Sequence, residues 1–166
     1  MPRRLLRDRR VVADEWLYVA EAADDAASPL IVTFDQWKLE PDTWIARGTP
    51  LGLLLSPAHK VEDIARDLQN FSLIAAEFPG PSEGRGYTQA RLLRERWNFK
   101  GELRAVGHVG IDQVFFMARC GFNSFQLPEE GLDGALAAFS TFSAAYQPSN
   151  DLGLPLKLQP DITASA

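Results

Sequence analysis

Two rhythms of apolar and polar residues alternate through the middle of the chain. Short runs with a period of two, or wholly apolar, predict strands at LGLLLS (51–56), LIAAEF (73–78), ELRAVG (102–107) and SFQL (124–127). Helical spacing follows each of them. VEDIARDLQNF (61–71) has apolar residues at 61, 64, 65, 68 and 71, and YTQARLLRERWNF (87–99) carries Ala90, Leu93 and Trp97 on one stripe. IDQVFFMARCGF (111–122) predicts a third helix with Gly121 at its left-handed stop, and LDGALAAFSTFSAAY (132–146) a fourth. Strand then helix, repeated, predicts α/β with a parallel sheet and right-handed crossovers. The strand starts Leu51, Leu73, Glu102 and Ser124 are 22, 29 and 22 residues apart, close to a barrel repeat. A closed eight-unit barrel needs about 250 residues. The pattern therefore predicts four βα units resembling half of a TIM-type barrel.

A β-rich extension (10–49) precedes these units (50–147). RVVADEWLYVA (10–20) predicts a strand pair or a strand entering a turn, Ala22 to Ser28 a loop, and PLIVTFDQW (29–37) a β-rich run. EPDTWIARG (40–48) predicts a short helix, capped by Asp42 and stopped by Gly48. The opening MPRRLLRDRR is basic like a signal peptide's first region, but VVADEWLYVAEAADD carries acids throughout and supplies no apolar core. It is expected to be a solvated arm leading to a first strand. The expected organisation is one α/β domain over 1–147, with a disordered Pro-, Asp-, Ser- and Thr-rich tail over 148–166.

Composition narrows the function. A net charge of -5 argues against a general nucleic-acid binder. A single cysteine, Cys120, excludes an intramolecular disulfide or a multi-cysteine metal site and fits a reducing cytoplasm. No apolar run reaches the ~20 residues of a membrane span. Two histidines without a cysteine cluster give no zinc site. No cofactor fingerprint is present. GRGYTQ has Gln89 where a dinucleotide motif needs its third glycine, and no Gly-Lys-Ser/Thr follows it.

The chemistry-bearing candidates gather around the predicted carboxyl ends of the strands, where α/β folds bind ligands. Gly84, Arg85 and Gly86 open the second helix. The glycines would permit positive φ and close backbone approach, and Arg85 would add a fork of donors for phosphate, sulfate or carboxylate. Arg104 is the second expected anion-binding residue. The structural alternative is a turn with Arg85 paired to Glu83. Strand alternation puts Glu77, Arg104 and Gln126 on one polar inner face, which implies a ligand, a partner sheet or an internal salt-bridge network. His108 at a strand end and Asp112, a cap candidate for the next helix, are the acid–base candidates. Cys120, at a helix carboxyl end, reads as a buried structural thiol.

GRGYTQARLLR, FKGELRAVG and DQVFFMARCGF together resemble the signature of domain-of-unknown-function family 934, bacterial proteins described as oxidoreductases involved in sulfite reduction. The similarity runs from about Trp16 to Phe125 and is densest from Phe78. Arg85, Arg91, Arg104, Asp112 and Gln113 match the pattern, whereas Glu83 and His108 stand where the family carries aspartate. The resemblance implies a role beside sulfite reductase and its oxyanion substrate. Sulfite reduction needs haem and iron–sulfur centres, and one cysteine cannot ligate a cluster. The expected function is therefore an accessory protein binding an oxyanion or the reductase. The alternatives are a small α/β enzyme on an anionic metabolite, or a self-associating module, such as a homodimer, that covers open strand edges.

Overall fold

The computed structural model describes residues 3–22 and 25–141. Eight strands form one sheet: β1 (Arg4–Arg7), β2 (Arg10–Ala13), β3 (Leu17–Tyr18), β4 (Leu30–Thr33), β5 (Leu51–Leu55), β6 (Leu73–Phe78), β7 (Glu102–Gly107) and β8 (Ser124–Phe125). Their order is β2-β1-β8-β7-β6-β5-β4-β3. The fold is α/β with a curled half-barrel sheet. From β3 to β8 the strands run parallel and adjacent in chain order, so the parallel run has six strands where the pattern predicted four. Buried residues of the helices between sequential strands share a core with one face of the sheet. The larger core lies there, joining Leu53, Leu55, Ile74, Ala76 and Leu103 to Trp37, Ile64, Leu93 and Met117 of the helices. A smaller core of Trp16, Ile31, Leu73, Ala75 and Val106 fills the inner face.

Several elements differ from expectation for identifiable reasons. The run 29–37 is a strand only to Thr33; α1 (Phe34–Leu39) follows at once. Thr33 and Gln36 form a capping box: Gln36 N–H donates to Thr33 Oγ1 (3.2 Å) and Thr33 N–H to Gln36 Oε1 (2.9 Å). That motif outweighs the β propensity of the residues before it. The EPDTWIARG stretch forms α2 (Pro41–Ala46), with Pro41 in its first turn. The 61–71 segment is a 3₁₀ helix, Val61–Asn70. With three residues per turn, 61, 64 and 67 line up. Val61 and Ile64 are buried, and Asp67 accepts the Trp37 indole N–H (3.0 Å).

The basic opening is not a free arm. Leu5 and Leu6 are buried, and β1 pairs antiparallel with β8 and with β2. Asp8 and Arg9 turn this hairpin with positive φ (50° and 61°), as a tight two-residue turn requires. Two adjacent leucines between arginines show no alternation, so the pattern concealed the strand. The hairpin covers the edge of β8, leaving β2 and β3, of four and two residues, as the sheet edges.

The second predicted helix is α3 (Arg85–Arg91) followed by a π-helical turn, Leu92–Arg96, closed by Trp97 N–H to the Leu92 carbonyl (3.0 Å). The third is a 3₁₀ turn, Ile111–Gln113, leading into α4 (Val114–Cys120), which stops at Gly121 with φ 126°. The fourth is α5 (Leu132–Thr141). Positions 142–146, which the pattern assigned to this helix, and the 148–166 tail lie outside the described residues.

Candidate functional site

The glycine–arginine loop does lead from the carboxyl end of β6 into α3. Its glycines act differently from expectation, because neither Gly84 nor Gly86 has positive φ. A Cβ on Gly86 would stand 2.5 Å from the Phe78 ring, so this glycine lets α3 pack onto the end of β6. Gly84 is open around that position. Arg85 is 68% exposed; its backbone N–H donates to Glu83 Oε1 (3.0 Å) and its guanidinium lies 3.6 Å from the same oxygen. The Gln89 that spoils the dinucleotide motif is buried. Its amide donates to the carbonyls of Ser56 and His59, both at 2.9 Å, and so ties the loop after β5 to α3. His59 stacks on Phe34 (4.1 Å between centroids), and its Nδ1 accepts from Ser56 N–H (3.0 Å).

Arg104 lies elsewhere, fully buried on the inner face. Its Nη1 meets Asp14 Oδ1 at 3.1 Å, and its Nη2 and Nε meet Glu102 Oε1 at 2.9 and 3.1 Å. Arg3 approaches Asp14 (3.7 Å) and pairs with Glu21 (3.1 Å), while Arg7 approaches Glu102 (3.6 Å). This is the internal salt-bridge network that was the alternative to a ligand on this face. Arg104 is thus held by two carboxylates, which Arg3 and Arg7 approach in turn.

The other inner-face residues are half-buried near the carboxyl ends of their strands. Gln126 Oε1 accepts from Tyr18 Oη (3.3 Å), a contact that joins β3 to the end of β8 across the curled sheet. Burial pushes the Tyr18 phenol up, against the lowering influence of Arg104 and Arg3. Glu77 stands opposite Val106 in the β6–β7 pairing.

His108 is exposed, and its backbone N–H donates to the Phe78 carbonyl (2.6 Å). Gly107 before it has φ 87° and leaves 2.5 Å between a built Cβ and that same carbonyl oxygen, so glycine is required there. Asp112 does not cap the following helix. Gln113 Oε1 instead accepts Gly110 N–H (3.0 Å) at the start of the 3₁₀ turn, and α4 has no side-chain cap. Among the described residues no hydrogen bond joins His108 to Asp112, and no group of three or more His, Cys, Asp and Glu is placed to hold a metal ion. No helix there is long and apolar enough to cross a membrane.

Two features escaped sequence reading. Arg94 sits in the π turn and spends its donors on loop carbonyls, and nothing in ARLLRERW distinguishes it from its neighbouring arginines. Beside the glycine–arginine loop, Tyr87 and Phe116 pair at 5.2 Å, with Phe116 51% exposed. The exposed Phe was concealed because FFM reads as a uniformly apolar helix face.

Cys120 is buried. Burial pushes its thiol up, outweighing Arg91 and Arg119, and burial also raises the Tyr87 phenol. Raised values mean that the unfolded chain releases these protons first. The resulting stability is complete below the ordinary thiol and phenol ranges, near ~9 and ~10, and is lost as pH rises through the folded values. Urea midpoints are expected to fall between pH 8 and 10.5, and less steeply in Cys120→Ala. A flat profile would contradict the burial argument.

The protein is an α/β half-barrel, with the Tyr87–Phe116 pair beside its β6–α3 loop. The family model for a bacterial protein of unknown function (DUF934) matches residues 52–156, and the chain belongs to that family. The match begins at β5, later than the sequence resemblance, and runs past α5. No curated protein matches the chain.

Proposed function

We propose that this protein is a cytoplasmic accessory protein of assimilatory sulfite reduction that docks on the reductase and carries no redox centre of its own. The observation behind this reading is the exposed Phe116 ring paired with half-buried Tyr87, two residues along α3 from the exposed Arg85. Aromatic side chains and arginine are the types enriched at interface hot spots, where a few residues carry most of the binding energy. An oxyanion is the second ligand in this reading. Arg85 is its anchor, because Arg104 is already held by Asp14 and Glu102.

The test is binding of the purified protein to purified sulfite reductase haemoprotein by calorimetry or interferometry. Phe116→Asp is expected to weaken binding at least tenfold, as loss of a hot spot of about 2 kcal/mol does, and to leave the unfolding midpoint unchanged. No binding by the wild-type protein removes the reading. Light scattering on the same variant separates a heteromeric surface from a homodimer. A wild-type dimer dissociated by Phe116→Asp would assign the patch to self-association. Thermal unfolding with sulfite, sulfate and phosphate, on wild type and Arg85→Ala, tests the oxyanion arm.

A further inference from the structure

At the amino end of the sheet, opposite the β6–α3 loop, the segments entering β6 and β7 line a surface cleft of about 320 Å³. Leu68, Phe71, Trp97, Phe99 and Lys100 are among its lining residues. Backbone contacts fix its walls. Arg94 Nη1 donates to the carbonyls of Phe99 (2.8 Å) and Gly101 (2.9 Å), and Glu102 N–H donates to the Ser72 carbonyl (2.9 Å), so the two segments are held to each other. A Cβ on Gly101 would stand 2.5 Å from the Phe99 ring and 2.6 Å from the Ser72 carbonyl oxygen, so glycine lets ring and loop come together there. A pocket fixed in advance loses little freedom when it is filled.

Two groups of this lining lack a partner. The Trp97 indole N–H is buried and has no acceptor. Buried indole N–H groups usually find one, and one left without carries the full cost of its lost water. The chain meets the same need twice elsewhere: the Trp37 indole donates to Asp67 (3.0 Å) and that of Trp44 to the Gln36 carbonyl (3.0 Å). Lys100 is exposed, and no carboxylate among the described residues pairs with it. It is the one charged residue in the lining, which holds no acid. The cleft thus combines aromatic walls with two unmet donors, one neutral and one cationic, as small-molecule pockets combine an apolar lining with a few placed polar groups.

We infer that this cleft binds a small aromatic carboxylate. Its ring packs among Phe71, Trp97 and Phe99, one carboxylate oxygen accepts the Trp97 indole N–H, and the other pairs with Lys100. A carboxylate supplies the two acceptor oxygens that these donors require and a single charge for a single cation. The site lies at the other end of the sheet from the β6–α3 loop and does not depend on the docking reading.

The test is a heteronuclear NMR titration of the whole protein with sodium benzoate, read at the indole N–H signals. The Trp97 signal is expected to move downfield and saturate, while that of Trp44, already bonded, stays in place. Benzyl alcohol, which keeps the ring and loses the charge, should bind about tenfold more weakly. Acetate, which keeps the charge and loses the ring, should not saturate the signal. Lys100→Gln should weaken benzoate about threefold, as loss of an exposed ion pair does, and leave benzyl alcohol unaffected. No saturable shift at Trp97, or a benzoate affinity unchanged in Lys100→Gln, overturns the site. Equal affinity for benzoate and benzyl alcohol overturns the carboxylate contact. Saturation by acetate at benzoate's concentrations makes the cleft a general anion site and overturns the aromatic ligand.

Discussion

Arg104→Ala is expected to destabilise the protein by about 3–5 kcal/mol, the range for removing one partner of a buried ion pair. The guanidinium is 1% exposed and faces carboxylates that are 1% and 10% exposed, so its loss leaves two acids in a dry interior. Domains of ordinary size are stable by roughly 5–15 kcal/mol, so a large part of the total would go. The network also ties Asp14, in the segment between β2 and β3, to the middle of the sheet. Its loss should release the amino-terminal hairpin as well as lower the midpoint. Urea unfolding followed by far-ultraviolet dichroism gives the first effect, and hydrogen exchange over residues 4–18 the second. Arg104→Met combined with Asp14→Asn and Glu102→Gln should recover part of the loss, because no charge then remains buried. A single variant within about 1 kcal/mol of wild type would show that water reaches the pair and that the inner face is open. An Arg104 free to take an anion would then return to consideration.

The sequence carried the broad architecture because periodicity reports directly on which face of an element is buried. Leu51, Leu73, Glu102 and Ser124 do begin β5, β6, β7 and β8. Where chemistry contested periodicity, reading it from sequence was harder. Thr33 and Gln36 cap a helix inside a β-rich run, and Leu5 and Leu6 enter the sheet through a hairpin whose turn, Asp8-Arg9, contains no glycine. The site was legible only in part. Strand alternation placed Glu77, Arg104 and Gln126 on one face, since side-chain direction in a strand follows from parity alone. What neutralises Arg104 was not legible, because Asp14 is 90 residues distant and reaches it only through the curl of the sheet. The glycines of GRGYTQ were read for backbone freedom, whereas Gly86 is fixed by the Phe78 ring, a contact no local motif encodes. Electrostatics then sorts the candidates. Arg104 is held by acids in the interior, whereas Arg85 is exposed and lies 3.6 Å from Glu83.

Arg94→Ala is expected to destabilise by about 3–4 kcal/mol, for a different reason. Arg94 has no described carboxylate partner within ion-pair distance; it is held by neutral groups. Its Nε donates to the Gly121 carbonyl (2.9 Å), its Nη1 to those of Phe99 (2.8 Å) and Gly101 (2.9 Å), and its Nη2 to Asn123 Oδ1 (3.4 Å). These acceptors belong to the loops that enter β7 and β8, so one side chain fixes the amino ends of two neighbouring strands. Hydrogen bonds to a charged donor contribute about 1.5–3 kcal/mol each in favourable settings. Burial lowers the Arg94 pKa, a desolvation penalty that offsets much of their sum. Asn123 carries the connection onward: its amide donates to Asp8 Oδ1 (3.1 Å) and its carbonyl accepts Asp8 N–H (2.8 Å), so the hairpin turn rests on the same knot. Arg94→Lys keeps the charge, but a point cation cannot reproduce the planar fork that reaches both loops, so it should restore less than half of the loss. Gly121→Ala should behave similarly, since its φ of 126° strains any side chain and a built Cβ stands 2.5 Å from Arg94 Cγ. If lysine restored full stability, charge alone would account for Arg94, and the contrast between buried Arg104, held by acids, and half-buried Arg94, held by carbonyls, would fail.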